Sequence, residues 1–384
     1  MGGLYYIVLL TVLGHVAFTG SRMTVSLFAI HLHAPPLTVG VLMGLYALLP
    51  ALLSIQAGRI VDRVGVRGPM IVGSLVATLG CAVPFVWPSL AALHVASAAI
   101  GTGFMLVGVC VYQVVGDLST SDTRPTHFSV LALGFSIGGF SGPMLAGFAI
   151  DYFGHKNTFI VLAAFSILPA LAMAIKPVAL PPRHHHIERP SDAALMDLFR
   201  DRDLRRIYIA VALFSVAWDV YNFAVPIYGV RIGLSASRIG LVMGTFAAAT
   251  FAIRLAMPWI SQRIKAWPLI MASSLVAATS FFLIPFATSV LPLMALLFLL
   301  GLGLGAPQPM VLSLLHDAAP PGRGGEAVGV RIFLINMSQT IMPLLFGAVG
   351  TLGMLPVFWS TGLCLAAGGW LARKQAFSKP KEAT

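Results

Sequence analysis

Charge is what this sequence has least of. Asp, Glu, Lys and Arg together make 10% of the 384 residues, against about 25% in a soluble domain, so an ordinary water-facing surface is excluded. Cysteine is scarcer still. Cys81, Cys110 and Cys364 lie far apart in apolar stretches, which argues against a disulfide framework and for small packing residues. No Cys/His spacing makes a zinc site. The His184-His185-His186 run follows Pro181-Pro182 in a polar stretch and reads as solvated linker, so no metal is expected. There is no phosphate-binding loop, and Gly301-x-Gly303-x-Gly305 lies inside an apolar run rather than after a strand. No catalytic set appears, and neither enzyme activity nor a cofactor is expected. The N-terminus lacks a basic n-region and a cleavage site, so residues 1–30 read as a retained helix.

Long apolar runs are what the chain does have. Hydrophobic residues make up 58% of it, with a mean hydropathy of +0.90. Twelve runs are long enough to cross a bilayer as helices of ~20 residues: 4–30, 37–57, 69–87, 90–115, 127–150, 157–175, 206–230, 238–261, 268–287, 291–315, 327–350 and 354–372. The runs are continuous, not alternating, which excludes a membrane β-barrel. The expected fold is an all-α membrane protein of two pseudo-symmetric six-helix bundles, over 1–176 and 206–373, with a linker at 177–205 and a tail at 374–384. Within the linker, residues 193–206 place Leu195, Leu198 and Phe199 among Asp and Arg. That pattern fits a short amphipathic helix on the inner leaflet or a plain tether.

The halves repeat each other without a gap at an offset of 200. Gly40, Met43 and Gly44 recur as Gly240, Met243 and Gly244, residues 74–77 match 274–277, and Asp117, Pro143 and Gly147 return as Asp317, Pro343 and Gly347. From 39 to 147, twenty of 109 positions are identical in this register. Parallel repeats in a bilayer are transporter architecture, with the site between them.

The net charge of +11 is a topological signal, not one for nucleic acid. With a cytoplasmic N-terminus, nineteen of the 24 Lys and Arg fall on inner loops, the tail or inner helix ends, and only Lys156, Arg231 and Arg238 on outer loops. Both termini are therefore expected in the cytoplasm of a multi-pass protein of the cell membrane, the bacterial inner membrane by expectation.

Between the second and third runs stands Gly58-Arg-Ile-Val-Asp62-Arg63-Val-Gly65-Val-Arg67. It resembles the loop motif of the major facilitator superfamily, with Val66 departing at one basic position. On the fifth run, Gly138-x-x-x-Gly142-Pro143-x-x-Ala146-Gly147 resembles that family's antiporter motif, with Ala146 replacing a Gly. On the fourth, Ser97 precedes Gly101 where the family carries Arg. The resemblance covers essentially the whole chain. It implies alternating access by two bundles and, through the fifth-run motif, export of small molecules in exchange for protons. Arg63 with Asp117, and Arg263 with Asp317, match across the repeat and are expected as symmetric inner clamps, or else as ordinary snorkelling charges. Gly58 and Gly65 are expected to permit close backbone approach at a turn holding Asp62 and Arg63.

Only one of the 13 acids, Asp219, sits near the middle of a span. An ionisable residue there is expensive and marks a functional hypothesis. The seventh run places Ser215, Asp219 and Asn222 on one helical face, and the first places His15, Thr19 and Arg22 at the equivalent positions. Arg22 and Asp219 are expected partners, either as a proton-coupling and substrate site or as a structural ion pair. His15 adds a group that titrates near neutrality. Arg254 is a second intramembrane cation or a snorkelling one. Gln113, Tyr112 and Gln308 are expected to bond substrate, Trp218 to supply a wall, and Arg331 to face headgroups or the gate.

The sequence thus supports a secondary transporter for small organic molecules, proton-coupled and exporting, acting as a monomer in the lipid bilayer. A proton-linked importer of organic anions is the alternative, with Arg22 and Arg254 receiving a carboxylate. A non-transporting membrane sensor or scaffold would lack the central polar stripe and would carry a sizeable soluble domain.

Overall fold

The computed structural model describes residues 2–120, 123–175, 196–320 and 324–376. Among the described residues every regular element is helical. The first half holds α1 (Gly2–His31), α2 (Pro36–Val64), α3 (Arg67–Val86), α4 (Leu90–Asp117), α5 (124–153) and α6 (155–175). A single helical turn, Met196–Arg200, precedes the second half. That half holds α7 (Arg202–Arg231), α8 (Ala236–Arg263), α9 (Ala266–Leu283), α10 (Val290–Gly305, continued as Pro307–Ala318), α11 (Gly324–Gly350) and α12 (Met354–Ala376).

Among the described residues eleven helices are long and apolar enough to cross a membrane. One of them, Thr126–Ile175, is 50 residues long, or about 75 Å at 1.5 Å per residue. That is more than twice the ~30 Å hydrocarbon core. Gly154, at φ 78°, breaks it into α5 and α6, which among the described residues is consistent with twelve spans in two sets of six. Positive φ is readily adopted only by glycine, and a chain reversal at the bilayer surface needs it here.

Polar caps start the helices where the sequence leaves the membrane. The Ser89 hydroxyl accepts from Ala92 N (3.2 Å), Ser235 from Arg238 N (3.4 Å), and Asp201 from Asp203 N (2.9 Å) and Leu204 N (2.8 Å). The expected amphipathic segment is represented by the Met196–Arg200 turn, where Leu198 is buried and Phe199 packs on Tyr208. The histidine run and the rest of the linker through 195 lie outside the described residues, as do Arg323 and the tail from 377.

In lipid, apolar surface gains little by associating, so packing and close backbone approach hold helices together. The halves meet through α2 on α11, α5 on α8 and α1 on α7. At the end opposite the termini these crossings are backbone against backbone. Gly40 lies on the Pro343 carbonyl, and its repeat mate Gly240 lies on the Pro143 carbonyl. Gly147 packs on the Ala236 carbonyl, and Gly347 on that of Pro36. A side chain at any of these positions would overlap backbone that has nowhere to go. Toward the termini the halves part around a cavity.

Candidate functional site

That cavity has a volume of about 570 Å³, within the roughly 300–1,000 Å³ of small-molecule sites. It runs from mid-bundle toward the termini end, where Ser54 of α2 and Tyr112 of α4 line it. Its walls are aromatic. In the first half Phe18 stacks on Phe104 at 4.0 Å between centroids, and His15 stacks on Phe104 and meets Phe135 edge-on. In the second half Tyr221 stacks on Phe246 at 3.8 Å, with Trp218 edge-on.

Arg22 and Arg254 both face the cavity. The Arg254 guanidinium donates to Ser136 Oγ on α5 and to Gln308 Oε1 on the continuation of α10, each at 2.9 Å. It therefore joins the two halves and does not snorkel. Gln308 is presented by a break in α10. Pro307 and Pro309 have no N–H to give to the carbonyls four residues back, so the ladder is interrupted beside Gln308.

Asp219 occupies a separate, smaller chamber of about 110 Å³, with Ser215, Arg331, Gln308 and Gln339 in its wall. It is 2% exposed, and Ser338 of α11 donates to its Oδ2 at 2.6 Å. Trp218, Gln308 and Gln339 line both spaces, so the chamber adjoins the cavity. The expected Arg22–Asp219 pair is not formed. Arg22 instead lies 6.0 Å from the Phe18 and Tyr46 ring centres. The tertiary fold places the two residues against different walls, which matching helical faces did not reveal. Arg331 lines the Asp219 chamber.

The other expected residues divide. His15, Thr19 and Asn222 line the cavity and Ser215 the side chamber. Ser215 donates to Val211 O and Asn222 to Trp218 O within their helix, while Thr19 Oγ1 lies within reach of both the His15 carbonyl (2.9 Å) and the Gly138 carbonyl of α5 (3.0 Å). Gln113 does not line either space and has another partner. Gly138 and Gly142 pack on α1 at His15 and Thr19, while Pro143 and Gly147 meet α8. The fifth-run motif thus joins α5 to both its own half and the other.

At the termini end, α2 runs through to Val64, so Gly58 and Arg63 belong to its last turns rather than to a loop. No atom approaches Gly58 within 4 Å of a Cβ, so its expected close approach is absent. Gly65, at φ 81°, supplies the turn. Arg67 donates to the Ala174 carbonyl at 2.9 Å, inside its own half. Neither Arg63–Asp117 nor Arg263–Asp317 is joined, and both acids engage other groups. The Asp62 side chain lies outside the described residues.

Sequence reasoning missed Asp151. At the opposite end, its Oδ1 accepts from Ala236 N (3.1 Å) and its Oδ2 from Ser237 N (2.8 Å), capping α8 across the boundary between halves. It also missed Ser136, Asn336, Ser338 and Gln339. The offset of 200 held a signal for two of these, since Ser136 and Asn336 are repeat mates and both line the cavity.

The model of the Major Facilitator Superfamily matches residues 7–343, and again 207–383. The chain is 26% identical over 326 residues to the class C tetracycline resistance protein of Escherichia coli, covering 81% of this chain and 79% of the other. It is 23% identical over 249 residues to a multi-drug resistance efflux pump of Streptococcus pneumoniae, covering 62% and 60%. Among solved structures it resembles a peptide transporter in complex with sulfate, at TM-score 0.78 and 16% identity, over 97% of this chain and 94% of that one. It also resembles a bacterial homologue of the lysosomal transporter Spinster, inward-facing and unoccupied, at TM-score 0.76 and 14% identity over 97% and 95%.

Proposed function

The chain belongs to the Major Facilitator Superfamily, and from that premise we propose that it is a proton-coupled exporter of small organic molecules working by alternating access. The observation that carries the reading is the two-chamber site. A cavity of cargo size adjoins a chamber holding a buried acid, and the two share Trp218, Gln308 and Gln339. A carboxylate in such a place exchanges a proton only when its surroundings change. The Ser338 bond lies within the second half and favours the ionised form, while rocking of the halves changes the first-half groups and the water that face Asp219. Export is supported by the fifth-run motif and by the efflux relatives.

In this reading the termini end is cytoplasmic, and the structure is the state open to that side. The glycine crossings and the Asp151 cap close the outside. Arg63 with Asp117, and Arg263 with Asp317, close the inside in the opposite state, aided by Asp62. The protein acts as a monomer in the bacterial inner membrane. The test is transport in proteoliposomes with labelled tetracycline and a labelled aryl carboxylate as probes. A pH gradient should drive net movement, and Asp219→Asn should abolish that while leaving exchange across equal pH measurable. Net transport at the wild-type rate by Asp219→Asn would place the proton path elsewhere.

A further inference from the structure

Charge in the central cavity does not balance. Two arginines line it, and its lining residues include no Asp or Glu. Asp219 is in the adjoining chamber, and its carboxylate is engaged by Ser338. Arg254 has neutral partners, Ser136 and Gln308. Arg22 has less. Among the described residues its guanidinium forms no hydrogen bond or ion pair, and its Nε is buried without a partner. Its guanidinium carbon lies 6.0 Å from the ring centres of Phe18 and Tyr46. A guanidinium offers donors in a planar fork that fits a carboxylate with two parallel bonds. A buried cation in the membrane without a direct ion pair is costly and is kept where function needs it.

The surroundings specify what else the ligand carries. Phe18 on Phe104, and Tyr221 on Phe246, present stacked rings from opposite halves, with Trp218 between the cavity and the chamber. Such walls suit a planar ring. Among the described residues lining the cavity, a cationic cargo would meet two like charges and no carboxylate.

We infer that the cargo is an aromatic organic anion, its carboxylate or equivalent acid group on Arg22 and its ring between the Phe18–Phe104 and Tyr221–Phe246 walls. This rests on the transport reading above. It also separates the tasks within the site, with cargo charge on Arg22 and the proton on Asp219.

The test uses three probes of one shape: 2-naphthoate, 2-naphthamide and a trimethylammonium derivative of 2-methylnaphthalene. Binding to the purified full chain in lipid nanodiscs is measured by calorimetry. 2-Naphthoate should bind at least ~10-fold more tightly than either of the others, a difference of about 1.4 kcal/mol. Arg22→Gln should level the three affinities. Arg22→Lys should keep the anion preference while weakening it, and it guards against misfolding of the glutamine variant, as does a monodisperse elution profile. The inference falls if 2-naphthoate binds no better than the amide or the cation, undetectable binding included. It also falls if folded Arg22→Gln keeps the preference. Counterflow of labelled 2-naphthoate in liposomes separates this from the transport reading. Selective binding without counterflow removes transport and leaves the anion site. Counterflow inhibited equally by amide and anion removes the anion class and leaves transport.

Discussion

Replacing Asp151 with Asn should loosen the closed end of the molecule. In the structure its two carboxylate oxygens accept from Ala236 N at 3.1 Å and Ser237 N at 2.8 Å, so one side chain of the first half caps a helix of the second. An amide keeps one acceptor but turns an NH₂ toward the other backbone N–H, and it carries no charge for the helix N-terminus. A hydrogen bond to a charged group contributes about 1.5–3 kcal/mol net, and a charge at a helix N-terminus about 0.3–1 kcal/mol. Asp151 is exposed, so screening holds the sum near the lower end, about 1–2 kcal/mol. That shifts the ratio of closed to open by roughly 5–30-fold. Spin labels at Lys156 in the first half and Leu352 in the second, both exposed, report the separation of the halves at that end. The variant should gain a longer-distance population, and Asp151→Ala a larger one. The pH response has a definite sign. Burial works to raise this carboxyl, but the bonds from Ser237, Ser235 and Ala236 outweigh it and hold it below its ordinary value. A depressed carboxylate stabilises the capped state at all pH above the ordinary carboxylate range, near 3.9. That contribution is lost only as pH falls through the depressed value. The wild-type distance distribution should therefore not change between about pH 8 and 5 on account of this group. Unaltered distances in Asp151→Asn would refute the cap as a gate element.

Asp219→Asn liposomes should lose accumulation driven by a pH gradient while retaining exchange, as a flux measurement with and without the gradient will show. Gly147→Val sets a branched side chain against the Ala236 carbonyl. A strained contact of about 1–3 kcal/mol should open the same labelled end and slow turnover. Asp117→Asn, and likewise Asp62→Asn, should favour the state open to the termini by a coupling of about 1–3 kcal/mol; unchanged reactivity of a cysteine at Ser54 would remove the inner clamp. A cysteine at Ser191 should resist an impermeant thiol reagent in intact cells, and labelling equal to that of a site in the α7–α8 turn would reverse the topology.

The helical architecture was legible in the amino-acid sequence because a bilayer leaves few choices. Backbone groups without water must bond within their own segment, so apolar runs of span length are helices. The offset of 200 carried the two-fold plan directly. It carried even the crossings, since Gly40 and Gly240, and Pro143 and Pro343, were already paired in the text of the chain. Asp219 stood out for the same reason, as one acid where acids are costly. Helical faces also put His15, Thr19, Arg22 and Asn222 together, and all four line the cavity. Periodicity states which residues share a face, however, and not what that face meets. Arg22 and Asp219 lie on matching stripes, yet Phe18 and Tyr46 flank the one and Ser338 of α11 holds the other. Whether two faces touch depends on helix rotation and crossing, and those are set by side-chain packing summed over many contacts between residues distant in the chain. Asp151 makes the point most sharply. In the sequence it is an ordinary acid at a helix end. Only the approach of α8, 85 residues further on, turns it into a bond between the halves.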